Sequence, residues 1–265
     1  MNPLYFGSSD KALFGVYHAP ASQPAKNRGV ILCNPFGDEA IKSHRAFLQL
    51  ANRLAAERYH VLRFDYYATG DSAGDSAEGT VEQWLADIDT AADELKDASG
   101  VAKVSFVGLR LGASLALTAA CKRRDLDRVA LWDPVVRGAD YVAELRRVHE
   151  DYLRNEFGRR VLDPARITPA TGDEIMGFPL PPSLREAMAH IDLCALERGK
   201  LKRVLLLTSA RKPDYAALAA HLTDIGVDLT HENIPVGINW NSDEAMNNAS
   251  LVPTEAIEAI VAAMG

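Results

Sequence analysis

Val104-Ser105-Phe106-Val107-Gly108-Leu109-Arg110-Leu111-Gly112-Ala113-Ser114 reads as a buried strand that ends in Gly-x-x-x-Gly and passes at once into a small-residue helix. This is the outline of a nucleophile elbow, Gly-x-Ser-x-Gly, in which a sharp strand-to-helix turn pushes the middle side chain out of the sheet. Here the middle residue is Arg110. A guanidinium stays protonated and has no usable nucleophilic lone pair. The frame is kept while the attacking atom is replaced.

The chain on either side repeats the same strand-then-helix rhythm. Residues 4–19 read as two short strands about a turn at Gly7-Ser8-Ser9-Asp10. Gly29-Val30-Ile31-Leu32-Cys33 is a continuous apolar run, as expected of a parallel strand covered on both faces. It empties into Asn34-Pro35-Phe36-Gly37-Asp38-Glu39. Ser43 is placed to cap a helix whose apolar positions are Phe47, Leu50, Ala51 and Leu54. His60 to Tyr66 is the next strand, followed by the turn-rich loop Gly70 to Asp75. Thr80 and Gln83 fit a capping box before the stripe Trp84, Ile88, Ala91, Ala92 and Leu95. Beyond the elbow, a helix is expected through Cys121 and a strand at Val129 to Trp132, ending at Asp133-Pro134.

After Val136 the rhythm breaks. Residues 138–196 are charged and helical at first, then rich in Pro and Gly around Pro164 to Pro182. Regularity returns with Arg203 to Thr208, a helix through His221, a strand from Val227 to Ile234, and a last helix aligning Ile257, Ile260, Val261 and Met264. Alternating strands and helices predict an α/β fold, with a mostly parallel central sheet flanked by helices. Residues 1–137 and 197–265 form the core of a single domain, and residues 138–196 form a helical and irregular cap inserted over the strand ends.

Bulk properties narrow the function. A net charge of -7 over 265 residues, with no basic run, argues against a nucleic-acid or membrane-surface binder. No apolar segment approaches the roughly 18 residues of a membrane span, and no secretion signal is evident. Cys33, Cys121 and Cys194 lack metal-type spacing, so reduced thiols, no metal and a cytoplasmic location are expected. No cofactor motif is present.

Several segments together resemble the α/β-hydrolase superfamily, and more narrowly the bacterial proteins known as exosortase A system-associated hydrolase, type 2. They are Asn34 to Glu39 with Lys42-Ser-His-Arg; Asp65-Tyr-Tyr-Ala-Thr-Gly-Asp-Ser-Ala-Gly; Gly108-Leu-Arg-Leu-Gly-Ala; Leu131-Trp-Asp-Pro-Val-Val; Glu174-Ile-Met-Gly-Phe-Pro-Leu-Pro-Pro-Ser-Leu; and Val236-Gly-Ile-Asn-Trp. One departure is the last segment, where Asn239-Trp240 stands in place of an aromatic pair. The resemblance implies oxyanion donors at the backbone N–H groups of Leu111 and near Phe36. It also implies a histidine after the last strand, and none is present between Pro235 and Trp240.

For acid–base work two aspartates compete. Asp214 follows the Arg203–Thr208 strand, where a plain helix-cap role is favoured. Asp133 ends the strand before the cap, where it is placed either to act as an acid or to pair with Arg110 and fill the vacant triad. His44 is the histidine nearest the expected mouth, and its imidazole titrates near neutrality. His231 reads as a surface strand residue and Cys33 as core. Tyr66, Trp240 and Asn239 are candidate walls of the cleft, with Arg110 gripping the ligand. Arg146, Arg147, His149 and Arg154 read as a solvated helix face.

Two functions follow. The first is a non-hydrolytic protein that holds a small molecule or peptide carrying a carboxylate, phosphate or acyl group, with or without acid–base chemistry of the epimerase, lyase or cyclase kind. The second is an ester, thioester or amide hydrolase with an unorthodox nucleophile.

Overall fold

In the computed structural model the described residues are 1–157, 173–235, 240 and 252–265. Ten strands are described: β1 (Asn2–Phe6), β2 (Leu13–His18), β3 (Arg28–Cys33), β4 (His60–Phe64), β5 (Lys103–Leu109), β6 (Leu126–Trp132), β7 (Glu174–Ile175), β8 (Phe178–Pro179), β9 (Arg203–Thr208) and β10 (Asp228–Asn233). The helices are α1 (Asp38–Ala56), α2 (Val81–Ser99), α3 (Leu111–Ala120), α4 (Gly138–Phe157), α5 (Pro182–Ala189), α6 (Pro213–Asp224) and α7 (Thr254–Met264).

Eight strands form one sheet in the order β1-β2-β4-β3-β5-β6-β9-β10, with β7 and β8 a separate hairpin. From β4 across to β10 every pairing is parallel. In this sheet, among the described residues, β1–β2 and β2–β4 run antiparallel, as does the β7–β8 hairpin outside it. The inner parallel strands β3, β5, β6 and β9 are covered on both faces, as their apolar runs require, while the edge strand β10 is polar and largely exposed. Val30 and Leu32 of β3 meet α1 and α7 on one side, together with Val107, Leu109, Trp132 and Leu207. Ile31 and Cys33 point the other way, into the layer of α2 and α3 that also takes Tyr141 and Leu145 of α4. Adjacent residues on opposite faces follow from the two-residue repeat of a strand.

Two caps differ from expectation. Helix α1 begins at Asp38 behind Gly37, so Ser43 lies inside it, buried, with its hydroxyl donating to Ala40 O at 3.3 Å. Asp38 and Glu39 occupy the first turn, where carboxylates suit the positive end of the helix dipole. Thr80 does cap α2, but the Gln83 side chain donates to Asp87 Oδ1 at 2.8 Å and leaves the box half-made. A full capping box forms at Asp75 and Glu78, on a short 3-10 turn.

Asp214 is a third departure: it does not cap α6 but sits in its first turn, and the cap residue is Lys212. Among the described residues no helix is long and apolar enough to cross a membrane.

Candidate functional site: a charged plug beside an aromatic cavity

The site is built on the turn from β5 into α3. Arg110 there has φ 52° and ψ -122°, a conformation that residues with a Cβ rarely adopt. Its N–H donates to Trp132 O at 3.0 Å, and its carbonyl accepts from Ala113 N at 3.1 Å and Val135 N at 3.3 Å. Two glycines permit the close packing. A Cβ on Gly108 would lie 2.4 Å from Gly112 O, and one on Gly112 would lie 2.3 Å from the carbonyls of Cys33 and Asn34. The strained turn is therefore fixed by backbone packing that no side chain at 110 controls.

The Arg110 side chain is 6% exposed. Its Nε donates to Glu39 Oε1 at 2.9 Å, and its Nη2 donates to Glu144 Oε2 at 2.7 Å. The Tyr141 hydroxyl donates to Glu39 Oε2 at 2.8 Å, and the Tyr141 ring lies 5.3 Å from the guanidinium carbon. One cation thus ties the elbow to α1 and to α4. Burial by itself would lower the Arg110 pKa, but the charges of Glu39 and Glu144 more than reverse it. Burial also holds the Glu39 carboxyl above its ordinary range, against the pull of Arg110.

The expected pairing of Arg110 with Asp133 is not what forms. Asp133, with φ 44°, turns its carboxylate to Ser209, accepting from the backbone N at 2.6 Å and from Oγ at 2.5 Å. Those bonds tie the end of β6 to the end of β9. A carboxylate at the tip of β6 lies next to the tip of β9 in the sheet, while the guanidinium reaches away toward the helices. Asp133 lines neither of the two cavities that flank the elbow.

The larger cavity, of about 410 Å³, lies between the elbow and the loops after β3 and β4. Phe36, Leu111 and Tyr66 line it together, as expected, along with Trp84, Phe178 and Asp65. The smaller, of about 100 Å³, lies on the other side of the elbow. Arg110, Asp140, Glu144, Lys212, Asp214 and Tyr215 line it, so its charges are mixed.

Other candidates fall elsewhere. His44 is exposed on α1 and lines neither cavity. Trp240 is buried edge-on against Trp132, with centroids 5.6 Å apart, in the apolar layer under α1 and α7 and not on a cavity wall. Asn239 lies outside the described residues. Cys33 is core, its thiol pushed up by burial beside Tyr66. The exposed Arg146, Arg147 and Arg154 keep to the solvated face of α4, and His149 accepts from Met176 N at 3.1 Å.

Sequence reading missed Glu39, Glu144 and Tyr141. One signal was available: a buried guanidinium demands counter-charge, and Glu39 stands in the loop that must face the elbow. Glu144 gave no such sign, because one acid on a charged helix looks like solvated surface. Among the described residues no group of His, Cys, Asp and Glu is arranged to hold a metal ion.

Comparison with known proteins agrees with this frame. The chain is similar to Est1E from Butyrivibrio proteoclasticus, a structure with ferulic acid bound, at 18% identity and a TM-score of 0.67. That match covers 97% of this chain and 98% of the other. It is similar to the bottromycin epimerase BotH in complex with bottromycin A2, at 20% identity and TM-score 0.56, covering 97% and 98%. It is also similar to a proline iminopeptidase of Mycobacterium smegmatis, at 14% identity and TM-score 0.57, covering 99% and 100%. These likenesses establish the α/β-hydrolase fold. No curated protein matches the sequence significantly. The pattern of one sequence family spans residues 28–168, just over half of the chain and including the elbow. The chain therefore belongs to the serine aminopeptidase S33 family.

Proposed function

We propose that this member of the family is a non-hydrolytic ligand-binding protein, which holds an acyl- or aryl-bearing small molecule or peptide in the cavity beside the elbow. One observation carries the reading. The elbow side chain is a buried guanidinium held by Glu39 and Glu144, at the place where acyl transfer requires an oxygen or sulfur able to bond carbon. The wider sequence agrees, since no histidine follows His231. A volume of about 410 Å³ suits a small molecule, and Phe36 and Leu111, the residues expected to carry oxyanion donors, both line it. The anionic ligand suggested by Arg110 loses its basis, because that cation already sits between two carboxylates. BotH, called an epimerase, is a precedent for other work on this fold.

The test is a fluorophosphonate probe applied to the folded protein, together with turnover of a 4-nitrophenyl ester series. The expected outcome is labelling no greater than in a denatured control and no burst of product. Stoichiometric labelling of one serine, abolished by mutating that serine, would restore the hydrolase alternative and end this reading.

A second reading, acid–base catalysis on the bound ligand, is favoured by Asp65. This carboxyl lines the cavity, and burial raises its pKa. Asp65→Asn would then abolish solvent deuterium exchange into the ligand even when the ligand is supplied at saturation. Exchange that persists in the variant would rule Asp65 out.

A further inference from the structure

Phe178, Phe36, Trp84 and Tyr66 form a continuous aromatic run along the wall of the larger cavity. Successive ring centroids are 6.4, 5.9 and 5.7 Å apart, and the planes are tilted by 60°, 39° and 37°. The Trp84 indole N–H donates to Tyr67 O at 3.1 Å, which leaves the π-system as what the ring can offer a ligand. Tyr66 is 4% exposed, with its ring on the cavity wall and its hydroxyl buried beside the Cys33 thiol, so it too offers a ligand its ring.

The charges on this wall all have one sign. Asp65 and Asp75 are the charged side chains among its described lining residues, and no Lys, Arg or His lines it with them; Arg63 and His44 act on Asp65 from outside the wall. Asp65 accepts from Asp71 N at 3.1 Å and faces Asn34 Nδ2 at 3.4 Å. Burial outweighs these bonds and the pull of Arg63 and His44 and holds its pKa up, so its negative charge is incompletely offset. Aromatic faces are also electron-rich. An anion entering here would be repelled by every charged neighbour on the described wall. A neutral aryl group would fill the space but leave Asp65 under-compensated. A positive nitrogen answers both features, by Coulomb attraction to the carboxylates and by cation–π contact with the rings.

We propose that the cavity selects an organic ammonium ligand, a positively charged nitrogen carried on an aryl or acyl body. This rests on the reading of the cavity as a ligand site and adds the sign of the ligand's charge. The aromatic run packs the ligand's body, and Asp65 and Asp75 set its charge.

Three soluble probes of nearly equal size test it by titration calorimetry: phenethylammonium, 2-phenylethanol and phenylacetate. Phenethylammonium should bind about tenfold tighter than 2-phenylethanol, with phenylacetate weakest. The preference should shrink as salt is raised. Asp65→Asn and Asp75→Asn should each weaken ammonium binding by about threefold or more and leave 2-phenylethanol unchanged. Phe178→Leu should weaken all three. Asp75 is exposed and caps only a short turn, so its variant keeps the test decisive should Asp65→Asn fail to fold. Equal affinity for the three probes, or a preference untouched by both asparagine variants, would overturn the charge assignment. Absence of binding by any of them at millimolar concentration would overturn it too. A labelled serine in the fluorophosphonate experiment would instead strike the non-hydrolytic reading and leave the charge preference standing.

Discussion

Removing the Arg110 guanidinium while keeping its stem, as in Arg110→Met, isolates the charge that plugs the elbow. Glu39 would then be a carboxyl at 2% exposure with the Tyr141 hydroxyl as its remaining partner in this network. Glu144 is 30% exposed at its side chain and has water within reach. Stripping one partner from a buried pair costs about 3–5 kcal/mol, because an uncompensated charge stays behind. Glu39 can escape part of that penalty by taking up a proton. From an ordinary carboxyl value of 4.5, protonation costs about 3 kcal/mol at pH 7 and about 1 kcal/mol at pH 5. The charge-related deficit of the variant is therefore capped at those values.

The direction follows from Glu39 itself. Its folded pKa is raised, so the unfolded chain holds fewer protons than the folded one in the window above 4.5, and stability falls as pH rises through it. Loss of Arg110 widens that window. Arg110→Met should thus lose about 3 kcal/mol at pH 7 and about 1 kcal/mol at pH 5, relative to wild type at the same pH. The pair Arg110→Met with Glu39→Gln should recover most of the loss at pH 7 and show little pH dependence. Urea titrations followed by tryptophan fluorescence at pH 5, 6 and 7 provide the measurement. A deficit under about 1 kcal/mol at pH 7, or one equally large at pH 5, would refute the account of Arg110 as counter-charge to a buried carboxylate.

Two further outcomes are expected. His18 is 2% exposed, accepts from Arg63 Nε at Nε2 (3.2 Å), and lies 3.2 Å from Asn52 Oδ1 at Nδ1. Burial, then the charge of Arg63, holds its pKa down to about 4 against the usual 6.5. The unfolded chain binds more protons between those values, so stability is lost as pH falls. The advantage of wild type over His18→Gln should shrink by about 1.5 kcal/mol from pH 6.5 to 5 in paired thermal melts, and a constant difference would contradict this. Asp133→Ala removes both bonds to Ser209 and should cost about 2–4 kcal/mol, while Asp133→Asn should cost about half of that. Ligand affinity should be unchanged in the asparagine variant, and a tenfold loss there would bring Asp133 back as a site residue.

The fold was legible because its carriers are periodic and local. Val30 and Leu32 against Ile31 and Cys33, the apolar stripe of α2, and the glycines of the elbow each announce their own geometry. The two faces of the sheet could be assigned without knowing any long-range contact. The site was legible only where backbone defines it: Phe36 and Leu111 reach the same cavity because both follow parallel strands that end at one edge. Side-chain partners were not. Arg110 and Asp133 are neighbours in topology, yet Ser209 at the tip of β9 is closer to Asp133 than any guanidinium. Glu39 and Glu144 lie 71 and 34 residues away from Arg110 in sequence. Trp240 was ambiguous for another reason, since a lone tryptophan after a strand packs equally well in a core or on a cleft, and here it stacks on Trp132.

The elbow's persistence without a nucleophile has a physical cause that bears on where ligand must sit. Gly108 and Gly112 lock α3 against β5 and against the β3 carbonyls, so the turn is imposed by packing whatever residue occupies position 110. A side chain launched from that turn projects between α1 and α4. Serine there would leave space for a substrate to approach. Arginine instead spans the gap and bonds both helices, leaving on that side only the smaller cavity of about 100 Å³. The larger cavity lies on the side of Leu111, with the aromatic wall and Asp65. If the cavity binds a ligand, that ligand meets rings and carboxylates and not the elbow cation. The variants that reshape affinity are then those of Phe178, Tyr66 and Asp65, while those of Arg110 act through the stability of the fold. A ligand whose affinity fell tenfold in Arg110→Met at pH 5, where the fold is least disturbed, would break that separation and put the guanidinium back in contact with it.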